Sequence, residues 1–320
     1  MSEPLMSGWR YRAVVLSVVA SALGYLGFSL WGGWQAVSAA ISEVGLLGIV
    51  IALGLSSLNY ALRFVRWQIY LGVLGHRLPW RPSLGIYLAG FALTTTPGKA
   101  GEALRGVLLK TWNVPYPHSF AAFFSERLSD LFAVVLLALF GLALYPAAQP
   151  MVIAGLALIA AALLMLSQRR LLERLAKAAA SGHSRLHRLL GHLLEVLIQA
   201  QHCHRLSLLP VLTLLSVMAW GAEALAFHWI LVWMGADIGL TFAVFVYALA
   251  MLAGAISFMP GGLGGAEAVM VALLMWKGMA SADAIAATVL IRLATLWFAV
   301  GIGALMLMRI NTTRQPLRGV

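Results

Sequence analysis

This sequence predicts an all-α polytopic membrane fold, with about six full spans and two re-entrant helical hairpins arranged as an inverted repeat. Three observations carry that prediction. The chain is 62% hydrophobic and only 10% charged, whereas soluble domains carry about 25% charged residues. A Pro-Gly element occurs twice, as Thr94 to Gly106 and, 163 residues later, as Ser257 to Met270. The connecting segments proposed to lie outside hold no lysine or arginine, while those proposed to lie inside hold 15 of the 22.

The repeat organises everything else, because self-similarity at a fixed offset outranks local signals. TTTPGKAGEALRG and SFMPGGLGGAEAVM each break at Pro-Gly, take a glycine-rich step and resume helical texture at a glutamate. Pro97 recurs as Pro260 and Glu102 as Glu267, and an arginine follows each glutamate by 25 residues, Arg127 and Arg292. Arg66-Trp67 has a weaker echo in His228-Trp229. We expect one integral membrane domain over 1–320, with repeat halves at about 44–145 and 206–308.

In chain order, Arg10 and Arg12 precede an apolar run from Ala13 to Trp31, long enough for a span of about 20 residues. Val37-Ser38-Ala39 resembles a signal-peptidase site. The run exceeds a usual signal-peptide apolar region of about 7–15 residues, so an uncleaved first helix is favoured. A short loop with Glu43 leads to a second span, Val44 to about Trp67. Leu84 to Thr96 is apolar but too short to cross; it stops at Pro97-Gly98, and Glu102 to Trp112 returns. Phe120 to Tyr145 is a third span and Met151 to Leu166 a short fourth.

From Gln168 to Arg205 lie seven Lys/Arg, two acids and five of the eight histidines, with leucines at helical spacing. This predicts a cytoplasmic basic amphipathic helix on the membrane surface, facing anionic phospholipid headgroups. The histidines lack a sustained, acid-supported ligand pattern, so no metal is expected. Leu206 to Met234 is a fifth span, Thr241 to Met259 and Ala266 to Met279 form the second hairpin, and Ala284 to Met308 is the last span.

With the amino terminus in the cytoplasm, the proposed inside segments hold 15 of the 22 Lys/Arg, Arg66, Arg77 and Arg81 among them, and the outside loops hold none. The count closes if the two hairpins enter from opposite sides, or if both arms of each cross. Inverted repeats with broken helices meeting at the midplane are a transporter signature. Backbone amides freed at such a tip make a natural anion site. The net charge of +11 therefore belongs to topology, and no nucleic-acid partner is expected. The single cysteine, Cys203, excludes an internal disulfide and is read as an inert thiol.

Several charges fall inside apolar elements: Arg63, Arg66, Glu102, Arg105, Glu126, Arg127, Asp130, Glu223, Glu267 and Arg292. Each costs about 2.5–3.5 kcal/mol at the bilayer centre on insertion scales, so such groups persist when paired or functional. The bland alternative is a structural ion-pair network. The hairpin arm Leu84 to Thr96 rises about 20 Å, and Arg127 and Arg292 lie about 12 Å into their spans. Glu102, Arg127, Glu267 and Arg292 are therefore expected in one central layer. The candidate substrate site comprises Pro97, Gly98, Lys99, Glu102, Arg105, Arg127, Pro260, Gly261, Gly262, Glu267 and Arg292. The arginines would hold phosphate, because a guanidinium fork binds it bidentately. Arg63, Arg66, Glu126, Asp130 and Glu223 are expected as supporting charges. No catalytic residue and no cofactor are expected.

RxxRW at Arg63 to Trp67, TPGKAGEALR, SERLSD, MPGGLGGAE and LIRLATLW together resemble the lysylphosphatidylglycerol synthase transmembrane family over about residues 50–308. The resemblance implies a multi-pass protein of the bacterial or archaeal inner membrane that moves a polar lipid between leaflets. Some stand-alone relatives are associated with hopanoid or lipid-linked sugar pathways, so the lipid stays open. Only twelve residues follow Met308, so the family's soluble aminoacylating domain, and with it lysyl transfer, is expected to be absent. Three classes are compatible with these residues: a lipid transporter, which is favoured; a membrane enzyme acting on a lipid phosphate with Glu102 or Glu267 as base, disfavoured by the lack of HExxH, GxSxG or an aspartate-rich metal motif; and a scaffold recruiting enzymes through 168–205, which would leave the buried charges unexplained. No GxxxxGK[ST] phosphate loop is present. Whether the protein forms a homo-oligomer stays open.

The charge asymmetry places the termini and residues 168–205 in the cytoplasm and 235–240 outside. In a Cys203→Ser background, Asp237→Cys should react with an impermeant thiol reagent from the outer face. Labelling only from the cytoplasmic face would reverse the topology of the second half.

Overall fold

A computed structural model describes residues 34–96, 100–180, 184–257 and 259–313, together with Gly27. The expected first span, apart from Gly27, lies outside the described residues, as do Arg10, Arg12, Pro97, Gly98, Lys99, His183, Arg314 and Arg318. Among the described residues the chain is helical, with no strand.

Helix α1, Trp34–Val73, runs through the loop expected around Glu43. That loop is instead a kink at Gly45, whose φ of 63° interrupts an otherwise continuous helix. Val37 and Ala40 are buried inside α1, so the cleavage-like triplet is part of a packed helix. Helix α2, Trp80–Ala89, passes into a 3-10 turn, Gly90–Leu93, and α3, Ala100–Lys110, returns. Helix α4, Tyr116–Leu139, ends short of the expected Tyr145. Helix α5, Gln149–Ser167, is extended by a 3-10 turn at Pro146–Ala148. Their continuous length of 22 residues makes the expected short fourth span long enough to cross.

The basic segment forms two helices, α6, Arg169–Ala180, and α7, Arg185–Cys203, packed on each other. Ser184 caps α7 by accepting from the His187 amide. Leu186, Leu189, Leu190 and Leu193 on α7 are exposed, whereas Ala200 and Cys203 at its other end are buried. Helices α8, Leu209–Trp233, α9, Leu240–Ile256, and α10, Gly265–Trp276, follow. The last span is α11, Ser281–Arg292, a π-helical segment Leu293–Trp297, and α12, Phe298–Thr313.

Among the described residues four elements are long and apolar enough to cross a membrane: α1, Pro146–Ser167, α8 and Ser281–Ile310. Helix α4 has 24 residues but carries Glu126, Arg127 and Asp130. Large apolar side chains such as Leu46, Leu164 and Leu305 cover the outside, as contact with lipid requires.

Helices α1 and α8 form the most extensive interface, and α4 packs against both. The arms α2 and α3 fold back on each other, as do α9 and α10. Helix α2 and the 3-10 turn after it rest on α12, and α9 rests on α4. One glycine makes the contact with α12 close: a Cβ on Gly303 would overlap the Ala92 amide nitrogen and lie 2.7 Å from the Phe91 carbonyl carbon. Gly303→Val should therefore destabilise the fold by about 1–3 kcal/mol, the usual cost of overpacking. Thermal melting in detergent should show a lowered midpoint, whereas Gly301→Ala, with nothing within 4 Å of the new methyl, should melt like the wild type.

Candidate functional site

The charged interior begins with phase. On α1, Asn59, Arg63, Arg66 and Tyr70 share one face, and Ser216, Trp220 and Glu223 share one face of α8. The spacings of three and four residues stack them. The α1–α8 contact thus brings two polar stripes together. Asn59 donates to the Ala219 carbonyl at 2.9 Å, and Arg66 donates to the Ser216 hydroxyl at 2.5 Å.

Asp130 of α4 closes this interface. Its Oδ1 accepts from Arg66 at 2.6 Å and from the Trp220 indole at 3.1 Å. Its Oδ2 pairs with Arg63 at 3.2 Å and with Arg127 at 2.8 Å. One carboxylate therefore holds three arginines. Arg66 is fully enclosed, while the Arg127 side chain is 37% exposed. Arg63 lies over Trp220 and Arg127 over Phe123, each about 5.4 Å from the ring centre.

Arg105 of α3 makes a separate buried pair with Glu126, at 3.0 Å. Its guanidinium also sits 5.2 Å from the Tyr87 ring centre and 5.9 Å from that of Trp67, which fastens the returning arm α3 to α1 and α2. Glu102 lies on α3; its side chain is outside the described residues.

The second Pro-Gly element is a tight turn at Pro260–Gly262. Gly261, Gly262 and Gly264 have φ of 64°, 68° and 83°, a region that costs residues with a Cβ about 1–2 kcal/mol each. Arg292 holds the turn from below. Its Nε donates to Glu267 at 2.6 Å, and one terminal nitrogen donates to the Gly261 carbonyl at 2.8 Å. Glu267 in turn accepts from the Gly264 amide at 2.7 Å and caps α10. Both side chains are about 95% buried. The π segment starts at the next residue, and the Thr295 carbonyl within it accepts from the Tyr60 hydroxyl.

The two Pro-Gly elements approach each other. A Cβ on Gly261 would lie 3.4 Å from the Thr95 methyl, two residues before Pro97. Glu223 is buried, and its Oε2 accepts from the Tyr247 hydroxyl at 2.6 Å.

The expected sets are thus divided. Glu267 and Arg292 meet directly, with Gly261 as a third member. Arg127 is instead paired within its own helix to Asp130, and Glu126 with Arg105. Arg66, counted among the inside loop charges, is a buried member of the Asp130 cluster, so the inside tally loses one arginine. Sequence reasoning missed Tyr60, Ser216, Trp220 and Tyr247. The helical phase of Trp220 and Ser216 with Glu223 was the available signal.

Among the described residues, no three His, Cys, Asp or Glu side chains converge to hold a metal. His76 and His118 touch ring to ring at 2.8 Å near the ends of α1 and α4, and burial together with His118 lowers the His76 pKa. At the junction of α5, α6 and α7 an open recess of about 300 Å³ is lined by Leu166, Arg169, Gln201, His202 and Arg205.

Residues 14–303 match the family described as the lysylphosphatidylglycerol synthase TM region. The chain belongs to that family. A UPF0104 membrane protein of Pyrococcus horikoshii is 25% identical over 311 residues, covering 87% of this chain and 92% of its own length. A UPF0104 membrane protein of Methanothermobacter thermautotrophicus is 22% identical over 307 residues, covering 89% and 90%. This member of the lysylphosphatidylglycerol synthase transmembrane family is therefore a membrane protein whose family match spans both Pro-Gly elements and all the buried charges above.

Asp130 is the residue whose loss should cost most. Asp130→Asn removes the charge of the one carboxylate that Arg63, Arg66 and Arg127 all touch, and breaking a buried pair costs about 3–5 kcal/mol. Its melting midpoint in detergent should fall steeply. Glu173→Gln, which breaks the exposed Arg169–Glu173 pair on α6, should not shift it.

Proposed function

We propose that this protein moves a polar or anionic lipid, such as a phospholipid, hopanoid or lipid-linked intermediate, between the leaflets of the cytoplasmic membrane, as a transporter and not an enzyme. The observation that carries the reading is the second tip: a broken helix whose free backbone carbonyl is held by a buried arginine, which is itself held by a glutamate. Irregular backbone at membrane depth is tolerated only where protein or a water-filled cavity solvates it, and broken helices of this kind form substrate sites in secondary transporters.

Several observations support the finer reading. Helix α2 with its 3-10 turn rests on α12 and α9 rests on α4, so the incoming arm of each Pro-Gly element packs on the span that follows the other. This reciprocity is what two inverted halves, about 44–145 and 206–308, would give. The approach of Thr95 to Gly261 suits two re-entrant tips that meet. The headgroup site then comprises the first tip at Pro97, Gly98 and Lys99 with Glu102, Arg105 and Arg127, and the second at Pro260, Gly261 and Gly262 with Glu267 and Arg292. Both termini and residues 168–205 face the cytoplasm in this reading, with the basic helices α6 and α7 against anionic headgroups.

The test is leaflet exchange in liposomes with labelled phosphatidylglycerol, cardiolipin, hopanoid and prenyl-phosphate lipids. Wild type should exchange at least one of them. Glu267→Gln removes the charge that fixes Arg292, and Pro260→Ala restores a backbone donor at the tip. Each should reduce exchange at least about tenfold, while the protein still inserts and melts as a folded species. Wild-type exchange by both variants would reject the tip as part of the transport site.

A further inference from the structure

Resting on that transport reading, we propose that Arg63, Arg66 and Arg127 form a binding site for one phosphate oxyanion, with Asp130 as its scaffold and Arg127 as its open side. The argument starts from stoichiometry. Asp130 faces three guanidinium groups. Glu126, the neighbouring acid, is taken by Arg105. Among the described residues Arg63, Arg66, Arg105 and Arg127 face three carboxylates, Asp130, Glu126 and Glu223, the last two acting on Arg63 without touching it, so one positive charge is in excess in an apolar interior. An uncompensated charge there is expensive, and such clusters persist where a counter-ion arrives.

The hydrogen bonds say the same. A carboxylate offers about four lone-pair sites. Those of Asp130 are used by the three arginines and the Trp220 indole. Each arginine therefore reaches Asp130 through one terminal nitrogen, and none closes the two-pronged arrangement that guanidinium and carboxylate prefer. The Nε atoms of Arg63, Arg66 and Arg127 are buried without a hydrogen-bond partner among the described residues. Donors with fixed, planar geometry are thus left unused, and a phosphate oxyanion matches that geometry.

Access is one-sided. The exposure of the arginine side chains runs from 37% at Arg127 through 12% at Arg63 to zero at Arg66. A ligand would meet Arg127 first and stop against Arg66. Trp220 and Phe123 lie under two of the guanidiniums and limit their rotation. The same donors would accept the phosphate of a lipid headgroup or free inorganic phosphate.

Binding is measured on the full-length protein in neutral detergent by isothermal titration. The probes are dihexanoyl phosphatidylglycerol, dihexanoylglycerol, which lacks phosphate, and inorganic phosphate. Saturable binding of the phosphatidylglycerol but not of dihexanoylglycerol supports a lipid phosphate site. Binding of inorganic phosphate with equal strength supports the same oxyanion chemistry with a free ion as the source. Arg127→Lys keeps the charge but loses the fork and should bind at least about tenfold more weakly. Arg127 is the most exposed of the three, so the variant should fold, and its melting curve checks this. Arg77→Gln, an exposed cation outside both this cluster and the basic helices, should bind like the wild type, which separates this site from surface charge in general. No binding by the wild type, as expected if Glu102 already neutralises the cluster, overturns the proposal. So does undiminished binding by Arg127→Lys, or equal binding of dihexanoylglycerol. Phosphate-dependent binding without leaflet exchange would reject transport and leave the site standing; exchange without such binding would do the reverse.

Discussion

A charge inside an apolar protein must find its partner inside the protein, and this constraint sets the architecture. Water is absent from the bilayer core, and a buried ion pair stands only if its geometry is good and its remaining hydrogen-bonding capacity is used. Asp130 meets that demand for α1, α4 and α8 together. Arg63 and Arg66 come from one helix, Trp220 from another, and Arg127 from Asp130's own helix one turn back. Moving any of the three helices would pull at least one of these groups away from Asp130. The cluster therefore fixes the central contact, and the two Pro-Gly elements are packed around it.

The same constraint applies to backbone at the second tip. Three glycines there take positive φ, which turns the chain within a few residues and leaves carbonyl groups outside any helix. Arg292 supplies the missing donor to Gly261, and Glu267 supplies an acceptor to the Gly264 amide. The tip is thus stable because two side chains complete its backbone. The π-helical segment that begins right after Arg292 is a second local departure from regular helix, and such bulges recur at functional sites. Both irregularities fall on one short stretch of the structure, facing Tyr60 and Thr95.

Much of this was legible in the residues. The spacing of 25 between Glu267 and Arg292 brought them into contact because one starts a helix after the tip and the other lies on the neighbouring span. The equal spacing between Glu102 and Arg127 gave no guide to the partner of Arg127, since Asp130 stands three residues away on the same face and competes for it. Local pairing along a helix needs no tertiary arrangement, and a repeat argument does not weigh it. The loop expected around Glu43 is not needed, because Gly45 absorbs the turn in one residue. The leucine spacing of the basic segment predicts one amphipathic helix. The cap at Ser184 that starts a second helix was visible in the sequence but weak beside the periodicity.

The two halves carry their charges differently, and that difference assigns them different work on the transport reading. In the second half Arg292 is doubly engaged, by Glu267 and by the Gly261 carbonyl. It cannot turn its fork to a ligand without releasing the tip. Any ligand or proton that drew Glu267 or Arg292 away would free the backbone of the turn, so this pair is suited to gating. In the first half three arginines share one acid and keep unused buried donors. They can accept an anion while Asp130 still holds the helices in place. On the transport reading both elements belong to the headgroup site, and the acid-to-arginine ratio around each distinguishes the half that keeps unused donors from the half whose arginine also closes the turn.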